Sequence, residues 1–405
     1  MTLGKYLSGV LALLSLGVPA LAQDKGEDFL KFSGFGTLGG AHSSEKNADF
    51  TSTAVQPDGT GFSRVTSYSI DKKVGLQANA HIAEWLSAVV QGVSEYRYDG
   101  TFNPYINMAF LKAQVLPELS IRAGRMPFNA YLISDYQKVG YTYTWVRPPV
   151  EVYQFNPIFN YDGADITWQK TLGGVAFTVQ AFAGSNNVKL VQRGAVTDLD
   201  AKELVGAWMS ANHGNSLYRI YYLQGKLTAN NPALNVVFNQ IRNGIPPLGL
   251  PGNPALASQL ELQDDRVTYM SVGYQYDPGN WFITAEAARN GGDENAVIHA
   301  TAAYITGGYR LCDWTPYLTV AQRKNDSPTT NPNPIANALL SGGNRADQSF
   351  SVGLRWDFMK NMDLKIQYDQ FKNDTNAYGA LSNNQPAFQK GQSYSVITAN
   401  LDFVF

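Results

Sequence analysis

The last eleven residues, 395–405, alternate strictly in polarity. Ile397, Ala399, Leu401, Phe403 and Phe405 share one face of an extended strand, and Thr398, Asn400 and Asp402 share the other. The apolar face runs unbroken to the terminal carboxylate. Chain ends usually fray into water, so a soluble fold has little use for such a face there. A strand that closes a barrel can end this way, because its outer face meets lipid and not water.

The same period-two pattern recurs along the chain. Val74, Leu76, Ala78, Ala80 and Ile82 oppose Lys73, Gln77, Asn79 and His81. Phe350, Val352, Leu354, Trp356 and Phe358 oppose Ser349, Ser351, Arg355 and Asp357, and Met362, Leu364, Ile366 and Tyr368 oppose Asp363, Lys365, Gln367 and Asp369. Each is a strand with one apolar and one polar face. Charges on the second face imply water there, not a dry core. No stretch approaches the ~18 uninterrupted apolar residues of a spanning helix. Mean hydropathy is slightly negative, which a barrel tolerates because only alternate residues face lipid.

Sixteen strands are predicted, near 30–40, 72–82, 85–97, 105–115, 119–126, 162–170, 175–183, 202–212, 216–226, 266–276, 281–290, 298–311, 314–323, 348–358, 362–372 and 394–405. Those at 30–40, 202–212 and 216–226 alternate poorly. Alternate links are only a few residues long. Between them lie long ones at 41–71, 127–161, 184–201, 227–265, 324–347 and 373–393, with two brief ones at 98–104 and 291–297. Short turns at one end and long loops at the other are the rhythm of an all-β, transmembrane antiparallel barrel. At the N-terminus, Lys5, the apolar run 7–18 and Ala20-Leu21-Ala22 make a cleavable secretory signal over residues 1–22. The remainder, 23–405, reads as one barrel domain without a linker. A single cysteine, Cys312, leaves no internal disulfide to hold it.

The third long link is too apolar for a free surface loop. It contains Tyr131, Leu132, Ile133, Tyr136, Tyr143, Trp145, Val150, Val152, Tyr153 and Phe155, and such a segment needs something to pack on. Folding into the barrel, over about 127–161, supplies it. Its charges are Asp135, Lys138, Arg147 and Glu151. On the polar faces of nearby strands stand Lys73, Lys112, Arg122 and Asp165.

The terminal Phe resembles the last strand of Gram-negative outer-membrane barrel proteins. Gly124-Arg125-Met126-Pro127 closing a strand, a long third loop, and Tyr161-Asp162-Gly163-Ala164 opening the next resemble the sixteen-stranded general porins. The resemblance covers the mature chain in architecture and is sharpest over 119–166. It implies a trimer in the outer membrane, in contact with lipid and lipopolysaccharide and delivered by the barrel assembly machinery, for which Phe403 and Phe405 would be the signal. It implies an eyelet in which Asp135 and Glu151 face Lys73, Lys112 and Arg122 across a transverse field. The chain departs from the family in lacking a compact acidic Pro-Glu-Phe-Gly-Gly-Asp motif, and its second external loop is short.

The expected function is passive diffusion of small hydrophilic solutes and ions, with no reaction and no cofactor. A substrate-selective channel, with the loop aromatics as a slide for sugars or aromatic acids, is the alternative. A hydrolase on a barrel scaffold ranks below both. Gly34-Phe35-Gly36-Thr37-Leu38-Gly39 matches a nucleotide-loop pattern, but it lies inside a strand with no helix after it. His42, His81, His213 and His299 have no metal-ligand spacing. Asp264-Asp265 and Asp293-Glu294 read as solvated loop carboxylates. Without a Lys/Arg-rich run, nucleic acid is not a partner.

Overall fold

The structure, a computed structural model, describes residues 29–192, 194–293 and 299–405. The expected leader, 1–22, lies outside the described residues. Sixteen long strands follow one another. They are β1 (Leu30–Ser43), β2 (Lys73–Ala83), β3 (Leu86–Glu95), β4 (Tyr105–Leu116), β5 (Leu119–Pro127), β6 (Asn160–Leu172), β7 (Val175–Gln192) and β8 (Ala195–His213), then β9 (Ser216–Asn230), β10 (Asp265–Tyr276), β11 (Trp281–Gly292), β12 (Ala300–Tyr309), β13 (Trp314–Asn325), β14 (Asp347–Met359), β15 (Met362–Asn373) and β16 (Ser393–Val404). Each pairs antiparallel with its predecessor, and β16 returns to β1, with Phe35 opposite Val404 and Ser43 opposite Val396. The sheet is closed, so no long strand presents an unpaired edge. The all-β barrel expected from the alternation is the fold observed.

Outward residues such as Leu76, Val90, Ile106, Val272, Ile305, Val352 and Ile366 are exposed and form an apolar band. At its short-turn end lie aromatic residues. Trp314 stacks on Trp356 at 4.8 Å, and Tyr276 lies 5.2 Å from Trp281. Such a band on a closed barrel requires lipid around it. Gly173 and Gly174, with φ of 56° and 81°, make the two-residue turn between β6 and β7.

The glycines of the discounted nucleotide pattern have a structural role at the closure seam. A Cβ on Gly34 would lie 2.2 Å from the Phe405 ring, and one on Gly36 would lie 2.3 Å from the Phe403 ring. The two rings lie flat over backbone that only glycine leaves bare, which covers the weakest residues of β1.

Two expectations about the loops fail. The link 184–201 is not a loop: β7 and β8 continue through it as a hairpin that rises beyond the other strands. Its inward Leu190 and Leu199 pack on Val55 of the first loop, and protein on that face replaces the water that alternation would need. The long loops also hold helices, where the sequence read as strands and links alone. They are α1 (Val150–Tyr153), α2 (Pro232–Asn243), α3 (Pro254–Leu260) and α4 (Pro334–Gly342). The last three each start from an Asn cap followed by Pro, at Asn231, Asn253 and Asn333. Asn satisfies the first free amides and Pro fixes the opening φ. They pack together through Phe238, Ile241, Ala257, Leu260 and Ala336.

Candidate functional site

The interior is far more filled than the charged inner faces suggested. An aromatic cluster inside the barrel joins Phe128, Tyr131, Trp145, Tyr153 and Phe155 of the third loop to Tyr221, Tyr269, Tyr304 and Tyr317 of the wall. The loop leaves β5 at Pro127, and its base is pinned where the Phe128 N–H donates to the Phe159 carbonyl at 3.0 Å. From there it crosses to the far wall.

Backbone and side-chain bonds fasten it around most of the circumference. The Leu132 N–H and the Tyr153 hydroxyl both donate to Glu286 of β11, at 3.2 and 3.0 Å. The Trp145 indole donates to Thr306 of β12 at 2.9 Å. The Val146 N–H donates to Gln367 of β15 at 3.1 Å. Arg355 of β14 donates to the Tyr141 and Tyr143 carbonyls at 2.8 and 3.1 Å. Lys365 of β15 donates to the Gly140 carbonyl at 2.6 Å and pairs with Asp402 at 3.0 Å. Gly140 has to be glycine, since a Cβ there would lie 2.1 Å from Asp402 Oδ1 and 2.8 Å from Thr37 Oγ1.

The loop charges are dispersed, not gathered on one acidic face. Asp135 lies 3.8 Å from Arg219 of β9. Lys138 turns to the opposite side, 2.6 Å from Glu95 of β3, with the Phe159 ring 4.0 Å away. Arg147 is buried between Asp71 of the first loop at 2.6 Å and Asp369 of β15 at 3.4 Å, and it donates to Thr398 of β16 at 2.8 Å. Burial pulls the Asp71 carboxyl upward, but the charge and hydrogen bonds of Arg147 outweigh it and hold the group below its ordinary range. Glu151, only 2% exposed, has one carboxylate oxygen without a partner, and burial pushes its pKa up to about 7 against a hydrogen bond from Ser349.

The wall charges have partners of their own. Arg122 grips Asp165 with two nitrogens, at 2.9 to 3.1 Å, and Tyr161 donates to the same carboxylate at 2.8 Å. Lys112 lies opposite Arg122 in the β4–β5 register. Lys73 stands at the loop end of β2, close to Tyr143. The structure thus joins Arg122 to Asp165 and Asp135 to Arg219, and it leaves Glu151 apart from Lys73, Lys112 and Arg122. Phe403 and Phe405 sit outside the site, at the seam.

Tyr131, Trp145 and Tyr153 do not form a slide. Tyr131 stacks on Tyr153 at 4.5 Å, Trp145 meets Tyr304 edge-on at 5.8 Å, and all four rings are buried, so none offers its face to a solute. Sequence reading also missed Glu286 and Arg219, and it missed Asp71 as the counter-charge of Arg147. Arg355, Lys365, Asp369 and Asp402 stood on polar strand faces, which was a signal of inward orientation, but their partners lie far off in the chain.

A closed sixteen-strand barrel with an apolar outer band and a polar, charged inner wall is an integral protein of the Gram-negative outer membrane. Its fold is that of the porins of that membrane. It is similar to an anion-selective porin from Comamonas acidovorans (TM-score 0.55, 12% identity, 93% of this chain and 99% of that one). It is similar also to the outer-membrane channel DcaP of Acinetobacter baumannii (0.54, 12%, 95% and 100%) and to Salmonella typhi OmpF in complex with daunomycin (0.53, 15%, 93% and 97%). At these identities the likeness is one of fold. No family model and no curated protein matches the sequence.

Proposed function

We propose that this protein is a passive channel for small hydrophilic solutes and ions, narrowed by residues 128–159. One observation carries the reading: the loop is bonded to walls on opposite sides of the barrel, to Glu95 of β3 through Lys138 and to Thr306 of β12 through Trp145. A segment fixed at both sides of a lumen sets its free cross-section. The loop's ties run mainly to β7 and to β9–β16. Towards β2–β5 its polar ties come down to Lys138 with Glu95 and Tyr143 beside Lys73, while Val89, Met108 and Phe110 join the loop's buried cluster, and we place the passage along the β2–β6 wall, where these polar ties are fewest. The side chains there that set selectivity are Lys73, Lys112, Arg122, Asp165, Asp135 and Lys138, with Arg147 and Glu151 holding the loop in place. The barrel works as a homotrimer, in contact with lipopolysaccharide, and reaches the membrane through the barrel assembly machinery with Phe403 and Phe405 as its signal.

The test is the mature chain refolded in detergent and inserted in a planar bilayer under a salt gradient. Stepwise ohmic openings, grouped in threes for a trimer, are the expected result. Correctly folded barrels that pass no current would sink the channel reading.

A further inference from the structure

Two layers of charge lie along the β2–β6 wall, and in each the cations outnumber the carboxylates. The outer layer gathers where β3 ends. Glu95 lies 2.6 Å from Lys138 and opposite Lys73 in the β2–β3 register. Burial pulls the Lys138 ammonium below its ordinary range. Glu95 opposes that pull, and the positive charges of Lys73 and Arg97 add to it. Three cations therefore stand around one carboxylate. Arg97 is placed by a tight turn: its carbonyl accepts from the Gly100 N–H at 2.9 Å and its N–H donates to the Thr101 carbonyl at 3.2 Å. Its guanidinium lies 4.2 Å from the centre of the Tyr105 ring and 5.6 Å from that of Tyr98. Rings hold it, and it makes no ion pair among the described residues. An arginine held on aromatic faces keeps its charge and its N–H donors.

The carboxylates nearest this layer are engaged elsewhere. Asp99 is exposed at the loop tip and accepts from Thr101. Asp71 and Asp402 are bound by the buried cations Arg147 and Lys365. Nearer the turns, the inner layer sets Lys112 and Arg122 against Asp165. On the loop side of that layer Arg219 and Asp135 cancel, at 3.8 Å, so one positive charge remains in excess. Lys73, Arg97, Lys138, Lys112 and Arg122 are all half-buried, so each shows part of its surface to water, unlike the closed rings of the third loop.

The geometry points to a passage that selects small anions, with Arg97 as the residue that receives them at the outer entrance. An arriving anion exchanges part of its water for the N–H donors of Arg97 and the ammonium groups of Lys73 and Lys138. It then meets the excess charge at Lys112 and Arg122. A cation meets both layers as barriers. The inference rests on the channel reading above and adds the sign of the solute's charge.

The test is the zero-current potential of the full-length mature protein in planar bilayers under a KCl gradient. Chloride is expected to pass about fivefold more readily than potassium, since a net unit charge roughly 6 Å from a wet path favours one sign and opposes the other, less what salt screens. Arg97→Gln and Lys112→Gln should each lower the ratio, and together bring it close to unity. Lys226→Gln, on the outer face beside Glu203, is the control and should leave it unchanged. Should Lys112→Gln fail to fold, Arg97→Gln, which lies outside the strand ladder, carries the comparison alone. Potassium that passes as readily as chloride through the wild type, or a ratio that neither variant moves, would overturn the anion selection and leave the channel standing. A wild-type protein that passes no current would overturn the channel itself.

Discussion

Replacing Arg147 by methionine removes one cation from a site that holds two carboxylates. The side chains of Arg147, Asp71 and Asp369 are about 6%, 6% and 4% exposed, so water cannot take over the pairing. Breaking a buried pair by deleting one partner costs about 3–5 kcal/mol, because the charge left behind stays desolvated. The barrel ladder does not depend on this site, and the third loop does: Arg147 is the point where it is tied at once to the first loop, β15 and β16. At about 1.4 kcal/mol per decade, the loss shifts the balance between seated and released loop by roughly 10²- to 10⁴-fold. The expected record is a single-channel trace that flickers and reaches a larger conductance than wild type, from a barrel whose heat-modifiable migration is unchanged. Adding Asp71→Asn and Asp369→Asn to Arg147→Met should restore a quiet trace. A quiet, unaltered trace from Arg147→Met alone would refute the reasoning, as would a triple variant no better than the single.

Glu151 gives a pH dependence of definite sign. Its carboxyl is raised from 4.5 to about 7 by burial, so the seated loop binds a proton that the released loop gives up. Seating is then strongest below about pH 4.5 and weakens as the pH rises to 7. Glu151→Gln should flatten that profile in a protease-protection series, and an unchanged slope would place the titration elsewhere. Lys138→Met leaves Glu95 without its cation 2.6 Å away; the reversal potential in a salt gradient should move toward cation preference, and no movement would show that ions do not pass Lys138. Phe405 is 66% open on the outer face, where lipid covers it, so Phe405→Ala should cost the folded barrel about 2 kcal/mol in urea while slowing its assembly in cells. Gly34→Val forces a Cβ into the Phe405 ring and should cost more than Phe405→Ala; equal unfolding midpoints would argue against the seam packing.

Strand existence was legible wherever one face met lipid and the other met polar lumen, as in Phe350–Phe358 against Ser349–Asp357. It failed at 184–201, where both faces of the rising hairpin leave the membrane and Leu190 and Leu199 pack on another loop. The external helices were signalled by three Asn-Pro pairs, whose capping chemistry is local and could have been read. The third loop's need to be buried was legible in its aromatics. Its charge partners were not: Arg147 meets Asp71 across 76 residues and Asp369 across 222. Alternation shows that a side chain points inward without saying which inward residue it meets. The hydrogen bonds from Asn107 to Gln91 and from Gln91 to Gln77 escaped for the same reason, since these residues become neighbours only through the register of three strands.

The pairing of β1 with β16 has a consequence for how the molecule is made. The first strand to emerge can complete its hydrogen bonding only when the last one arrives, as Gly34 and Phe405 exchange backbone bonds in both directions at the rim. Until then the growing sheet carries two raw edges, each able to pair with any other extended chain. Closure therefore waits on β16, and a chain lacking that strand would remain an open, adhesive sheet however well its other fifteen strands had formed.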